Sequence, residues 1–338
     1  MGAENRSRPE FLAVMSRSSI SARPVFIVGS PRSGTSVLTW SLGQHSNILV
    51  QEESSWMGPL TLQLEIAYRV GTARGERSQL SALGVSREEY FSSFGEAING
   101  MILRHREKLE ERARHSATAA AIDPSIRPRR SSILGRFQIA RQQSDPKGRW
   151  VDGTPEYSFY VYPLAKLFPQ AKFIHVIRDV AAVVRSMLNF ERTGGPRLVQ
   201  NEQAAYDYWL RTVRACLAAE RAHGSEVVRR LRYSDLIDQP ESSLRRILEF
   251  IGEPFEPSCL EPLRERINSS EVTAEFDPTD SNTDESVREA ARQLDRKILE
   301  LPAEITPQSK AMTEIEKQFL FRAEEMAQRL ARPIPNPA

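Results

Sequence analysis

Cysteine is nearly absent: the 338-residue chain holds two, Cys216 and Cys259. That pair makes neither a disulfide framework nor a cysteine-ligated metal centre. So sparse a count suits a reducing compartment, and a cytoplasmic location is expected. Net charge is also missing. Forty-six Lys and Arg stand against 44 Asp and Glu, leaving +2, so bulk charge gives no reason to expect nucleic acid as a partner. No stretch approaches the roughly 18 apolar residues of a membrane span. The opening MGAENRSRPEFLAVMSRSSISARP lacks the apolar core of a secretory signal. Arg6 stands where a myristoylation signal wants Ser or Thr. The five histidines show no ligand spacing such as H-E-x-x-H, so no metal is expected. No repeat recurs at a fixed period. What remains, 40% apolar and 27% charged residues, describes a soluble globular chain able to bury a sizeable core in one large or two small domains.

Strands and helices alternate along the chain. Pro24–Val28 is a short apolar run bounded by Pro and Gly, the signature of a buried parallel strand. TSVLTWSLGQH follows with Val37, Leu38 and Leu42 at helical spacing. SSWMGPLTLQLEIAYRV and the region around Tyr90–Leu109 read as helices. Ala171–Ile177 is a second strand, and Asp179 is placed to cap the helical run after it. A helix around Glu202–His223, a strand at Val227–Tyr233, and a helix through SDLIDQPESSLRRILEFIGEP complete the pattern. In the last long helix Thr313 and Glu316 read as a capping box, with Ile315, Phe319, Met326 and Leu330 on one stripe. Alternation of this kind predicts an α/β protein, a three-layer P-loop-like fold with a central parallel sheet flanked by helices. Residues 1–23 read as a flexible polar arm, 24–270 as the main domain, and 271–338 as an acidic loop plus a helix packing on that domain. Within the domain, 112–149 carries nine Lys or Arg against two acids and reads as a basic insertion or lid. The opposite bias stands at 271–287, with six acids and no Lys or Arg. Both read as loops.

One absence is local. Residues 29–36, GSPRSGTS, have the G-x-x-x-x-G spacing of a phosphate-binding loop, and Ser36 closes it. The Lys that a nucleotide triphosphatase places after the second Gly is replaced by Thr35. Strand, loop and helix in that order form an oxyanion cradle of backbone N–H groups backed by a helix N-terminus. Without the Lys that serves β- and γ-phosphates, the anion is of another kind, and Arg32 inside the loop supplies the fork for it. No Asp at the end of an apolar strand reads as a Mg²⁺ ligand. A kinase or NTPase with a degenerate loop is the rival reading.

PRSGTS after a strand, together with FIHVIRDVAAVVRSM, resembles the sulfotransferases that use 3′-phosphoadenosine-5′-phosphosulfate (PAPS) as donor. The first block is similar to their 5′-phosphosulfate loop. The second is similar to their 3′-phosphate motif, an Arg at a strand end and a Ser eight residues on, here Arg178 and Ser186. LRYSDLIDQPESSLRRILEFIG and RINSS at 266–270 are similar to further family segments, and the likeness runs in order from about 24 to 270. The tyrosylprotein and carbohydrate branch, with its bacterial relatives, is the most similar. The resemblance implies transfer of a sulfuryl group from PAPS, without metal, to a small-molecule or glycan acceptor bearing a hydroxyl or an amine. Arg32, Ser33, Gly34, Thr35 and Ser36 would hold the 5′ end, Arg178 and Ser186 the 3′-phosphate, and Arg32 would also assist the reaction. Seven helical residues past Asp179, Ser186 lies about 10 Å along the axis, so the 3′-phosphate would rest on the helix flank.

The resemblance also supplies a base. A Glu pair at this offset from the loop maps onto Glu52 and Glu53, with Glu53 as general base. Both follow the short strand Ile48–Val50, at the sheet edge where α/β proteins bind ligands. His45 is the alternative base. Tyr233 would lie near the adenine, and Arg264 and Arg266 in a loop closing over the 3′-phosphate. One departure stands out. Relatives carry Lys in a Lys-Thr-Pro or Lys-Asp-Pro motif, whereas WVDGTPEY places Gly153 there. Lys147, Arg149, an Arg of Arg129–Arg130, or Arg32 alone would then serve the leaving group.

Overall fold

Alternation of apolar side chains on both faces decides where each strand sits. In the computed structural model, which describes residues 23–51, 53–103, 148–190, 197–264 and 282–331, the run Val25–Val28 is strand β1, wholly buried. Phe26 and Val28 join one apolar cluster, and Val25 and Ile27 the cluster on the opposite face, as a period of two requires. Strands β2 (Ile48–Val50), β3 (Arg149–Asp152), β4 (Lys172–Ile177) and β5 (Val228–Arg232) complete one five-stranded sheet. The order is β2-β3-β1-β4-β5 and every pair is parallel.

Helices cover both faces. On one side lie α1 (Thr35–Gly43), with Leu38 and Leu42, and α9 (Pro240–Ile251), with Leu244, Ile247 and Leu248. On the other lie α2 (Met57–Thr72), α4 at 87–103, α5 (Val161–Leu167), α7 (Glu202–His223) and α12 (Ser309–Ala331). The short α3 (Gln79–Ala82) joins α2 to α4. A third cluster binds α6 (Val180–Leu188), α7 and α11 (Glu285–Glu300). The α/β three-layer arrangement is as read from the sequence. No helix among the described residues is long and apolar enough to cross a membrane.

The caps explain several boundaries. Asp179 accepts from the Ala182 amide at 2.8 Å, and Asn201 from the Ala204 amide at 2.9 Å, starting α6 and α7. Four expectations are corrected. The stretch 234–251 is two helices, α8 (Tyr233–Asp238) and α9, because Pro240 cannot donate and its ring drives Gln239 out of helical space, to φ −134°. Tyr233 accordingly starts α8 instead of ending β5. Thr313 is no cap: α12 begins at Ser309, and the Thr313 hydroxyl donates to the Ser309 carbonyl inside the helix. Its apolar stripe runs Ile315, Phe319, Ala323 and Met326, while Leu330 is exposed. Finally, the acidic run ends in structure: Asp284 accepts from the Ser286 amide and Glu285 opens α11, where acids suit the helix dipole. Residues 1–22, 112–147 and 265–281 lie outside the described residues, and with them the arm, nearly all of the basic segment and most of the acidic one.

Candidate active site

Strands β1 and β4 are neighbours, and the chain turns to opposite sides of the sheet after each, so their C-terminal ends form the crevice where such sheets bind ligands. The loop Gly29–Gly34 leaves β1 there, and Arg178 leaves β4. Gly34 has φ 103°, and a Cβ on it would lie 2.3 Å from the Tyr233 ring. Only glycine meets both conditions. This turn delivers the chain into α1, whose start has no side-chain cap, so the first-turn amides are left for a ligand by helix geometry. The Gly29 amide donates to the Ser158 hydroxyl at 2.8 Å, and the Ser33 amide to the Ser30 carbonyl at 3.1 Å.

Arg32 is the sole non-glycine with positive φ among the described residues, at 71°. That conformation costs of order 1 kcal/mol, and contacts with other described residues help to hold it. Its Nε donates to Ser186 Oγ at 3.0 Å, its guanidinium lies 4.3 Å over the Phe190 ring, and its carbonyl accepts from Arg178 at 3.0 Å. Arg178 in turn stacks 4.6 Å over Tyr233, and Ser186 is buried on the flank of α6. The loop and the R-x₇-S pair therefore form one contiguous cationic patch. Burial, and next the Arg178 charge, lower the Arg32 pKa; Glu53 and Tyr233 oppose them. Two guanidinium groups so close repel each other, and an anion between them removes that cost.

Glu53 stands across from this patch. Ser36 Oγ donates to Glu53 Oε1 at 3.0 Å. The carboxylate is open to the cleft, yet enough of it is enclosed to push its pKa upward. Desolvation is the largest cause and Glu156 adds to it; the Ser36 hydroxyl and Arg32 work against both. The segment behind it is clamped from β3. Thr154 Oγ1 accepts from the Ser54 amide at 2.8 Å and donates to Asp152 Oδ1 at 2.6 Å, and the Tyr157 hydroxyl donates to the Ser54 carbonyl.

Other expected residues are placed elsewhere. Glu52, Lys147, Arg129, Arg130 and Arg266 lie outside the described residues. Arg264, the last residue of α10 (Glu261–Arg264), is exposed. His45 is buried beyond the far end of α1. Its Nδ1 accepts from the Asn47 amide, so Nε2 carries the proton it donates to the Pro254 carbonyl at 2.9 Å. A histidine packed this way is structural. Arg149 cannot serve a leaving group: it opens β3, at the opposite edge of the sheet, buried against Glu253 and the Ile251 carbonyl. The lysine position is closed by packing, since a Cβ on Gly153 would fall 2.1 Å from Thr39 Oγ1.

Sequence reasoning passed over Asp152, which does end a strand, β3, beside the loop strand. It is 1% exposed, and among the described residues its Oδ2 has no hydrogen-bond partner. Desolvation raises its pKa to about 7, against bonds from Thr154. The short apolar stretch WV was its one signal. Phe190, four residues past Ser186, and Ser158 were missed too, and neither carries a motif. Among the described residues no three or more His, Cys, Asp or Glu are grouped to hold a metal ion.

Residues 24–257 match the model of a family described as the sulfotransferase family. Protein-tyrosine sulfotransferase A of Caenorhabditis elegans is 23% identical over 236 residues, 70% of this chain and 51% of that protein. Omega-hydroxy-beta-dihydromenaquinone-9 sulfotransferase Stf3 of Mycobacterium tuberculosis (strain CDC 1551 / Oshkosh) is 34% identical over 106 residues, 29% of this chain and 27% of that one. The chain thus spans about half or less of the length of these two relatives. The solved sulfotransferase domain from the curacin biosynthetic pathway is 20% identical, with 88% of this chain and 98% of that chain covered at a TM-score of 0.40.

Proposed function

The chain belongs to the sulfotransferase family, and from that premise we propose that it transfers a sulfuryl group from PAPS to an acceptor hydroxyl. The supporting observation is the contact between Arg32 and Ser186, with Arg178 on the Arg32 carbonyl. It joins a loop suited to one anion and a helix flank suited to another at the ends of adjacent strands. In this reading the amides of Gly34 to Ser36 take the 5′-phosphosulfate, Ser33 contributes its side chain because its amide is held by the Ser30 carbonyl, and Arg178 with Ser186 takes the 3′-phosphate. Arg32 stands between the two. Tyr233, packed against Gly34 and Arg178, borders the adenine, and Arg266 is a further ligand of the nucleotide.

The acceptor oxygen attacks sulfur as the bridging sulfur–oxygen bond breaks. The sulfuryl group passes to the acceptor, its proton passes to Glu53, and 3′-phosphoadenosine 5′-phosphate departs. Ser36 holds one Glu53 oxygen and leaves the other for the acceptor, as a positioned general base requires. Arg32 and the first-turn amides stabilise charge on the departing oxygen. With no lysine at position 153, Arg32 carries this task. The free, buried thiols of Cys216 and Cys259 accord with a cytoplasmic site of action.

The test is turnover with donor labelled in its sulfuryl group, in chelator, against an acceptor panel. Carbohydrates and glycolipids come first by branch resemblance, then phenols, tyrosine peptides and amines. The expected result is an acceptor heavier by one sulfuryl group. Asp152 beside the loop is the feature favouring the rival kinase or NTPase reading. Tight ATP binding that needs Mg²⁺, with no metal-free binding of 3′-phosphoadenosine 5′-phosphate, would establish the rival.

A further inference from the structure

A groove of about 770 Å³ lies between α5, α7 and α12. Arg32, Glu53 and Arg178 take no part in its lining, and Ser158, whose hydroxyl accepts from the Gly29 amide, is its one lining residue that touches the donor loop among the described residues. Its floor is apolar and built of small groups, Ala215 and Ala218 of α7 among them, with Val161, Ile315 and Phe319 as walls. Small side chains there leave room that larger ones would have filled. The volume is that of a small-molecule site.

Its rim is cationic. Arg211, Arg214 and Arg221 follow one another on a single face of α7, and Arg322 reaches in from α12. Some other arginines meet carboxylates: Arg230 meets Glu220, Arg288 meets Glu202 and Glu285, and Arg245 meets Glu241. Among the described residues none of the four rim arginines is in an ion pair, and Glu314 is the sole acid lining the groove. Arg322 is held ready, donating to the Phe159 carbonyl at 2.7 Å and stacking 4.2 Å over Tyr160. Guanidinium groups fork carboxylates, phosphates and sulfates in two-bond geometry.

We propose that this groove is a second ligand site, separate from the donor cleft, for a small anionic amphiphile. Its apolar chain or ring system lies on the Ala215–Ala218 floor, and its anionic group is forked by the arginines. The assignment stands without the sulfotransferase reading. The test is fluorescence titration of the full chain with 8-anilinonaphthalene-1-sulfonate, and in parallel with uncharged N-phenyl-1-naphthylamine. Each is run with and without 3′-phosphoadenosine 5′-phosphate. Saturable sulfonate binding, unaffected by nucleotide and at least tenfold tighter than the uncharged probe, is the expected result. The variant Arg214→Gln/Arg221→Gln, at exposed positions that leave folding intact, should weaken sulfonate binding tenfold or more and leave the uncharged probe unchanged. An unchanged sulfonate affinity in that variant, or displacement by nucleotide, overturns the proposal. So does full occlusion of the probe by phosphatidylserine vesicles that pellet the protein, which would make the surface a membrane contact.

Discussion

Truncating Arg178 separates the work it does on a ligand from the work it does on the protein. In the structure its guanidinium donates to the Arg32 carbonyl and covers the Tyr233 ring. Losing those contacts costs any loop-bound ligand roughly 1–2 kcal/mol, one hydrogen bond plus one cation–π contact. A forked bond to a 3′-phosphate is a further charge-assisted pair, about 3–4 kcal/mol at roughly 1.5–3 per bond less what water returns. Arg178→Ala should therefore weaken 3′-phosphoadenosine 5′-phosphate by about 10³-fold or more, and adenosine 5′-phosphate, which lacks the 3′ group, by only about tenfold. Isothermal titration of both ligands against both proteins, in chelator, gives a four-cornered cycle whose coupling of about 3–4 kcal/mol belongs to the 3′-phosphate alone. Equal losses for the two ligands would refute the reasoning, leaving Arg178 as a brace for the loop.

Glu53→Gln should keep nucleotide affinity and lower kcat at least 10²-fold. In the wild type kcat/KM should rise with pH through an acid limb above the ordinary glutamate value of about 4.3, because burial raises the Glu53 pKa and the base acts deprotonated; a pH–rate profile reads both. Asp152 titrates near 7 when folded against an ordinary 3.8. Below 3.8 it is neutral in both states; between the two values only the unfolded chain ionises, so folding loses stability as pH rises and the penalty is constant above 7. Asp152→Asn cannot ionise, so its gain in unfolding free energy, measured in urea, should be about 2–3 kcal/mol larger at pH 8 than at pH 5. Gly153→Lys should cost about 1–3 kcal/mol by overpacking, with part recovered in Gly153→Lys/Thr39→Ala, since Thr39 Oγ1 is the atom in the way. Full stability of the single variant in a thermal melt would contradict this.

Much of the fold was legible because local pattern and tertiary demand agree. β1 is apolar at every position since both faces are covered, and Asp179 and Asn201 are cap residues at the places where α6 and α7 begin. Pro240 was legible too, and was overridden by the apolar spacing around it, although a missing donor breaks a helix whatever that spacing. Thr313 and Glu316 matched a cap signature that a longer helix made irrelevant, because α12 has contacts enough on α7 and α2 to start earlier. Within the site, Arg32, Arg178 and Ser186 were found by motif, and their mutual contact was not, as it spans 154 residues of sequence. Thr154, Tyr157 and Phe190 act through such contacts alone. Gly153 looked like a loss of chemistry; the structure gives it a packing reason on α1.

The central claim is that one adenosine nucleotide bridges the loop and the flank of α6. A crystal structure of the chain soaked with 3′-phosphoadenosine 5′-phosphate in chelator tests it most directly. The 3′-phosphate should lie on Arg178 and Ser186, with the 5′-phosphate on the amides of the loop around Gly34. Nucleotide bound in any other crevice, or held only after Mg²⁺ is added, would contradict it.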